Sequence, residues 1–159
     1  MNKQALLKKI IAKLTGELEV YLRAAQASRD EATHEQSRAE SKYDTRGLEA
    51  SYLARGQSKQ IAELSNALSD FQKLSTRPFL PGAPIELGAL VELELGGETS
   101  FYFLAPRAGG TEVLVSKREV LVITPESPLG RQLVGLKQGD RPKLTLGGRT
   151  QQAHLVSIR

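Results

Sequence analysis

Two stretches of this chain carry apolar or small residues at alternating spacings of four and three. The first runs Leu7, Ile11, Leu14, Leu18, Tyr21, Ala25, Ser28, Ala32, and the second Gly47, Ala50, Ala54, Gln57, Ile61, Leu64, Leu68, Phe71. Set in opposite directions, the opposed numbers add to 78 or 79 throughout, from Leu7 with Phe71 to Ala32 with Gly47. That is the arithmetic of an antiparallel pair of helices in heptad register. The fold-back falls near residue 39, with Glu35 opposite Tyr43 and a tip over residues 36–42. Large side chains (Leu7, Ile11, Leu14 and Leu18 against Ile61, Leu64, Leu68 and Phe71) line one end of this seam, each worth ~1.5–3 kcal/mol if fully buried. Small ones (Ala25, Ser28 and Ala32 against Gly47, Ala50 and Ala54) line the other and let the backbones approach closely. Arms of about 33 residues would reach ~50 Å at the helical rise. Such a slender rod suits insertion into a partner, or the spacing of two modules.

The rhythm stops near Leu74. Pro78, Pro81 and Pro84 follow within residues 77–84 and cannot continue a helix, so a linker or an extended lead-in is expected there. Beyond it the period drops to two. Residues 89–95 alternate as a half-buried strand, Gly96-Gly97 signals a hairpin turn, and Ser100 to Leu104 answers as the returning strand. Glu112 to Val115 and Glu119 to Thr124 read as two more strands, and Leu129 to Leu136 as a short helix started by Ser127 and Pro128. Lys143 to Leu146 and Gln151 to Ile158 form a last hairpin about Gly147-Gly148, and Gly109-Gly110 is read as another hairpin turn. The expected fold class is α+β. A two-helix coiled-coil hairpin (residues 1–76) and a Pro-rich linker (77–84) precede a small antiparallel β domain with one short helix (85–159).

Composition changes this picture little. The chain has 159 residues, 40% of them hydrophobic and 25% charged, as in ordinary soluble proteins. No stretch is apolar enough for a membrane span or a signal peptide, and the absence of cysteine excludes thiol chemistry and fits a reducing cytoplasm. The net charge of +4 permits contact with nucleic acid or an acidic protein without demanding it. His34 and His154 stand alone, so a zinc site is not expected. No phosphate loop, nucleophile elbow or Ser/His/Asp grouping is present, and the protein is read as a non-enzyme.

The most specific stretch is Ser127 to Asp140: a Ser-Pro helix start, a one-sided apolar helix, a glycine after it and a Gly-Asp turn. It resembles the signature of the C-terminal domain of Gre-type transcription factors. The likeness extends to the whole order of parts, with Leu64, Ser65, Asn66 and Ala67 near the end of the second helix. The resemblance implies an FK-binding-protein-like C-terminal domain that docks on bacterial RNA polymerase at the rim of the secondary channel. It also implies a hairpin that reaches toward the active site. By position in the motif, Ser127, Pro128, Leu129 and Arg131 are the docking residues. In the family, acidic residues at the tip help hold a second Mg²⁺ and a water while the polymerase cuts its own backtracked RNA; Mg²⁺ takes hard oxygen ligands and stabilises the attacking or leaving oxygen.

The tip departs from the family pattern. Anchored on Tyr43 and on the spacing to Leu64-Ser65-Asn66-Ala67, the two acidic positions fall on Gln36 and Ala39. Glu35 and Glu40 flank them, and a one-residue shift of the turn would present that pair to a Mg²⁺ shared with the polymerase. An anchor on Tyr52 would instead offer Asp44 and Glu49, against the heptad register. Arg38 and Lys42 crowd the tip and repel a metal, while Asp44 and Arg46 behind it could contact polymerase or nucleic acid. Lys8, Lys9 and Lys13 give the first helix a basic face; the resemblance implies contact with nascent RNA there, and a solubilising face is the plainer alternative. DNA would be met only through polymerase, and no membrane is involved. Prolyl isomerase activity, the rival that an FK-binding-like domain raises, needs an aromatic pocket, and the second half offers only Phe79, Phe101, Tyr102 and Phe103. The expected function is a polymerase-binding regulator of elongation that does not strongly stimulate cleavage. The alternatives are a true cleavage factor using Glu35 and Glu40 or Asp44, and a structural or chaperone-like coiled coil.

Overall fold

The computed structural model describes residues 1–33 and 46–159, with only the helical backbone described at 32–33 and 46–54. The expected tip (36–42), with Glu35, Tyr43 and Asp44, lies outside the described residues, and so does the side chain of Arg46. Two helices, α1 (Lys3–Thr33) and α2 (Arg46–Lys73), precede six strands and one short helix. The chain divides into two compact units: Met1–Ala12 together with Asp70–Arg159, and Lys13–Ser69.

In the helical unit the predicted seam is the covered face. Leu14, Leu18, Tyr21, Ala25 and Ser28 are buried or half-buried, whereas Thr15, Gly16, Glu19, Val20, Leu22 and Arg23 are exposed. Gln57, Ile61, Leu64 and Leu68 turn inward in the same way, with Ser58, Lys59, Gln60, Ala62 and Glu63 outside. Periodicity of about 3.5 marks the face that meets a second helix.

The other unit is built on a six-stranded sheet: β1 (Leu90–Leu95), β2 (Glu98–Leu104), β3 (Glu112–Val115), β4 (Arg118–Ile123), β5 (Lys143–Leu146) and β6 (Arg149–Ile158). Their spatial order is β3-β4-β2-β1-β6-β5. The α+β class holds, but the sheet is mixed rather than wholly antiparallel, because β2 and β4 pair in parallel from Phe101↔Val120 to Leu104↔Ile123. After β2 the chain crosses one strand position to lay down β3 at the edge, and a tight turn returns β4 into the gap. Two reversals restore the original direction. Gly109-Gly110 lies in that crossing and is therefore not a hairpin turn, while Gly96-Gly97 and Gly147-Gly148 are, each with both residues at positive φ. The β3–β4 turn uses Ser116 and Lys117 at φ 51° and 62°, a left-handed pair without glycine.

One face of the sheet presents Val91, Leu93, Leu104, Ile123, Leu144 and Leu155 to the short helix α3 (Pro128–Leu133), whose Leu129 and Leu133 complete that core. α3 stops three residues earlier than its apolar pattern suggests. Val134 leaves the helical region, Gly135 takes φ 84°, and the chain turns to pair with the Pro-rich segment: Gly135 N–H donates to Ile85 O (2.9 Å) and Ile85 N–H to Leu136 O (2.8 Å). Gly135 N–H and Leu136 O thus find partners outside the helix, while Val134 N–H still bonds to Gly130 O (2.9 Å). Phe103, Val120 and Val122, which alternation puts on the opposite face, are also fully buried. The ends of the two helices are tied to this domain. Lys9 Nζ donates to Leu114 O on β3, Lys3 Nζ to Gly88 O (3.2 Å) and to Arg77 O, and Arg107 pairs with Asp70 (2.7 Å). Leu6, Leu7, Ile10 and Phe71 are buried in this unit.

Candidate functional site

The Ser-Pro motif folds as a tightly determined helix start. Ser127 Oγ accepts from Gly130 N–H (3.0 Å) and donates to Thr124 O (2.7 Å), so one hydroxyl caps α3 and fastens it to the end of β4. Pro128 occupies the first helical position, where no backbone N–H is needed. Gly130 is there because nothing larger fits: a Cβ would lie 1.8 Å from Thr124 O and 2.8 Å from Ser127 Oγ. Leu129 is only 7% exposed and belongs to the core. Of the four expected docking residues, then, Pro128 and Arg131 are exposed, Ser127 is half-buried as the cap, and Leu129 anchors the helix from below. Beside them lies an apolar hollow of about 350 Å³ lined by Tyr102, Leu121, Ile123, Pro128, Leu129 and Leu146.

Gln132 does something its place in the pattern did not foretell. Its side-chain amide accepts from Thr145 N–H (2.8 Å) and donates to Thr145 O (3.0 Å), as a neighbouring strand would, and also donates to Pro128 O (2.9 Å). This joins α3 to the outer edge of β5 and occupies backbone groups that an edge strand otherwise offers to another chain. A glutamine about one turn into a one-sided helix carries no sequence signal for such a contact, since the partner lies 13 residues on.

The aromatic residues are not gathered for a prolyl-isomerase pocket. Phe103 is buried, Phe79 and Tyr102 pack against the main core, and Phe101 carries the Arg118 guanidinium 5.0 Å above its ring. Of the basic trio on α1, Lys8, Lys9 and Lys13 are all exposed at the side chain, and Lys9 holds the Leu114 carbonyl. His154 sits across from Glu94 in the β1–β6 register, with Nδ1 3.8 Å from its carboxylate. Among the described residues no group of three or more His, Cys, Asp or Glu could hold a metal ion, and Glu35 and Glu40 lie outside them. No described helix is long and apolar enough to cross a membrane.

No family model and no curated protein matches the chain. Among solved structures it is similar to the transcription factor Gfh1, with 27% identity over 95% of this chain and 94% of that one, at a TM-score of 0.40. A GreA factor homolog 1 (Gfh1) protein of Thermus thermophilus shows 22% identity over 94% of both chains, again at 0.40. A GreA/GreB elongation factor from Nitrosomonas europaea is 19% identical over 60% of this chain and 78% of its own, at 0.36.

Proposed function

We propose that this chain is a Gre-type transcription factor that binds bacterial RNA polymerase through its β domain. In this reading the helix pair enters the secondary channel, and elongation is modulated without strong stimulation of transcript cleavage. One observation carries it: the stretch that resembles the family signature is a rigid, surface-facing element. Its serine caps the helix, its glycine admits no side chain, and Pro128 and Arg131 are displayed beside an apolar hollow. A signature whose residues constrain one another while two remain exposed suits a docking surface. The heptad seam supplies the second part a Gre-type factor needs.

Weak stimulation of cleavage follows from the sequence register of the tip. With Gln36 and Ala39 where the family has carboxylates, the tip lacks the oxygen ligands that would help hold a second Mg²⁺. Glu35 and Glu40 would hold such an ion only if the turn shifts by one residue.

The test adds the purified chain to stalled, backtracked elongation complexes and follows RNA length, alongside co-purification with core polymerase. Retention on polymerase with unshortened RNA is the expected result. Shortened RNA that disappears in Glu35→Ala or Glu40→Ala would establish a cleavage factor, and loss in Asp44→Ala alone would overturn the register. Failure to bind polymerase at all would leave the structural coiled coil as the better account.

A further inference from the structure

Charge is distributed unevenly over the β domain. From Glu86 to Pro106, through β1 and β2, the chain has Glu86, Glu92, Glu94 and Glu98 and neither Lys nor Arg. From Arg131 to Arg149 it has Arg131, Lys137, Arg141, Lys143 and Arg149, with Asp140 as the one acid. All five cations are exposed, and none takes part in an ion pair among the described residues. The Asp140 carboxylate is already committed, accepting the Lys137 backbone N–H at 2.8 Å. The overall charge of +4 conceals this asymmetry.

The fold places Arg141, Lys143 and Arg149 along one edge of the sheet, with Arg131 on the helix that is fastened to it. β5, carrying Lys143, is the last strand on its side, and Arg149 opens β6 directly after the turn. Arg131 neighbours Gln132, whose amide is fixed to Thr145 on β5. Gln152 Nε2 donates to Arg141 O, which holds the approach to β5 against β6. Four unneutralised charges so placed repel one another, and a polyanion relieves that repulsion while releasing its own counterions.

We propose that this edge, formed by α3, β5 and the β5–β6 turn, is a binding surface for the phosphate backbone of nucleic acid. The neighbouring exposed residues favour phosphate over an acidic protein. They are amides and hydroxyls, such as Gln138, Thr150 and Gln151, which supplement Arg and Lys in backbone contacts. No aromatic residue occurs between Arg131 and Arg149. With no ring to stack on a base, the surface reads charge and spacing rather than sequence. It is distinct from the basic face of α1, and of its cations Arg131 alone is shared with the surface proposed to dock on polymerase.

The test uses the full chain without polymerase, measuring anisotropy of a labelled RNA of about 12 nucleotides and a duplex DNA of similar length between about 50 and 300 mM KCl. Binding should fall with salt at a log–log slope of about −3 for the RNA, corresponding to four or five phosphates at ~0.7 each. The double variant Arg141→Gln/Lys143→Gln should weaken it about tenfold and reduce the slope by about 1.5. Unchanged affinity in that variant, or loss only in Lys8→Gln/Lys13→Gln, overturns the proposal. So does competition by polyglutamate as effective as that of RNA at equal charge, which would point to an acidic protein. A circular-dichroism melt of the double variant that matches the parent ties any loss to charge rather than to folding.

Discussion

One heptad rhythm runs through both helices, yet its two parts are filled to different depths. Near residues 6–14 and 71 the helices are covered beyond the seam: its Leu7, Leu14 and Phe71, and Leu6 and Ile10 beside it, are all no more than 7% exposed, with Ile11 half-buried. Between residues 18 and 28, and again between 57 and 68, Leu18, Tyr21, Ile61, Leu64 and Leu68 are only half-buried, and Val20 and Leu22 face outward. The helical propensity of the two parts is similar, so the difference lies in what else is within reach. A helix with one partner covers a single stripe. A helix end held in the same unit as a sheet, as Lys3, Lys9 and Asp70 are, gains a second surface. Energy therefore concentrates where the helices share a unit with the sheet. The rest of the pair is held by a thinner margin.

The largest effect should come from emptying the closed part. Phe71→Ala removes a buried ring and should cost about 3–5 kcal/mol in urea denaturation, whereas Leu64→Ala, half-exposed, should cost about 1–2 kcal/mol. Equal losses would erase the contrast. Next comes Gly130→Ala, which forces a methyl into Thr124 O and should destabilise the β domain by about 1–3 kcal/mol. Ser127→Ala, which removes the cap and the bond to Thr124 O without adding bulk, should cost about 1–2 kcal/mol. Smaller, and opposite in sign, is a change in the thin part of the seam. Gln57 Oε1 is buried there with no hydrogen-bond partner among the described residues, at the position that the register opposes to Tyr21. Gln57→Leu should raise stability by about 1 kcal/mol, read as a higher melting temperature. A lower one would mean that the glutamine fixes the register, the known use of a polar seam residue.

How much of this was legible follows from what each pattern encodes. The seam could be read because a 3.5-residue period directly marks a covered face, and the strands because alternation and Gly-Gly pairs mark extended chain and its reversals. Strand direction could not: alternation in Phe101 to Leu104 is the same whether β4 arrives parallel or antiparallel. The Ser116-Lys117 turn was silent because its left-handed backbone is set by strand pairing on either side, with no glycine or asparagine to announce it. In the Ser-Pro motif the helix start was visible, but the need for Gly130 was not, since the obstructing carbonyl of Thr124 comes from another element. Gln132 was hidden for the same reason. The acidic-tip question lies outside the described residues and rests on register.

The subtlest difference between the two parts of the helix pair is electrostatic. Lys3 opens α1 inside the closed part and is buried with no carboxylate partner among the described residues, its ammonium held by the carbonyls of Gly88 and Arg77 and lying 4.7 Å from the centre of the Phe79 ring. Burial lowers its pKa from the ordinary 10.5, and the positive charge of Arg77 lowers it further. The folded chain therefore releases this proton at a lower pH than the unfolded chain does. Below the folded value both states hold the proton, and the cost of burying the charge is present in full. As pH rises from that value toward 10.5 the unfolded state binds more protons, so stability must rise through this window. Lys3→Met removes the titration, while the stranded carbonyls add an offset that does not depend on pH. Urea midpoints of the two proteins, measured in steps up to pH 10.5, should move apart in favour of the parent. Parallel midpoints would mean that the Lys3 ammonium is as well solvated in the fold as in the open chain, and that the closed end of the pair is sealed by apolar contact alone.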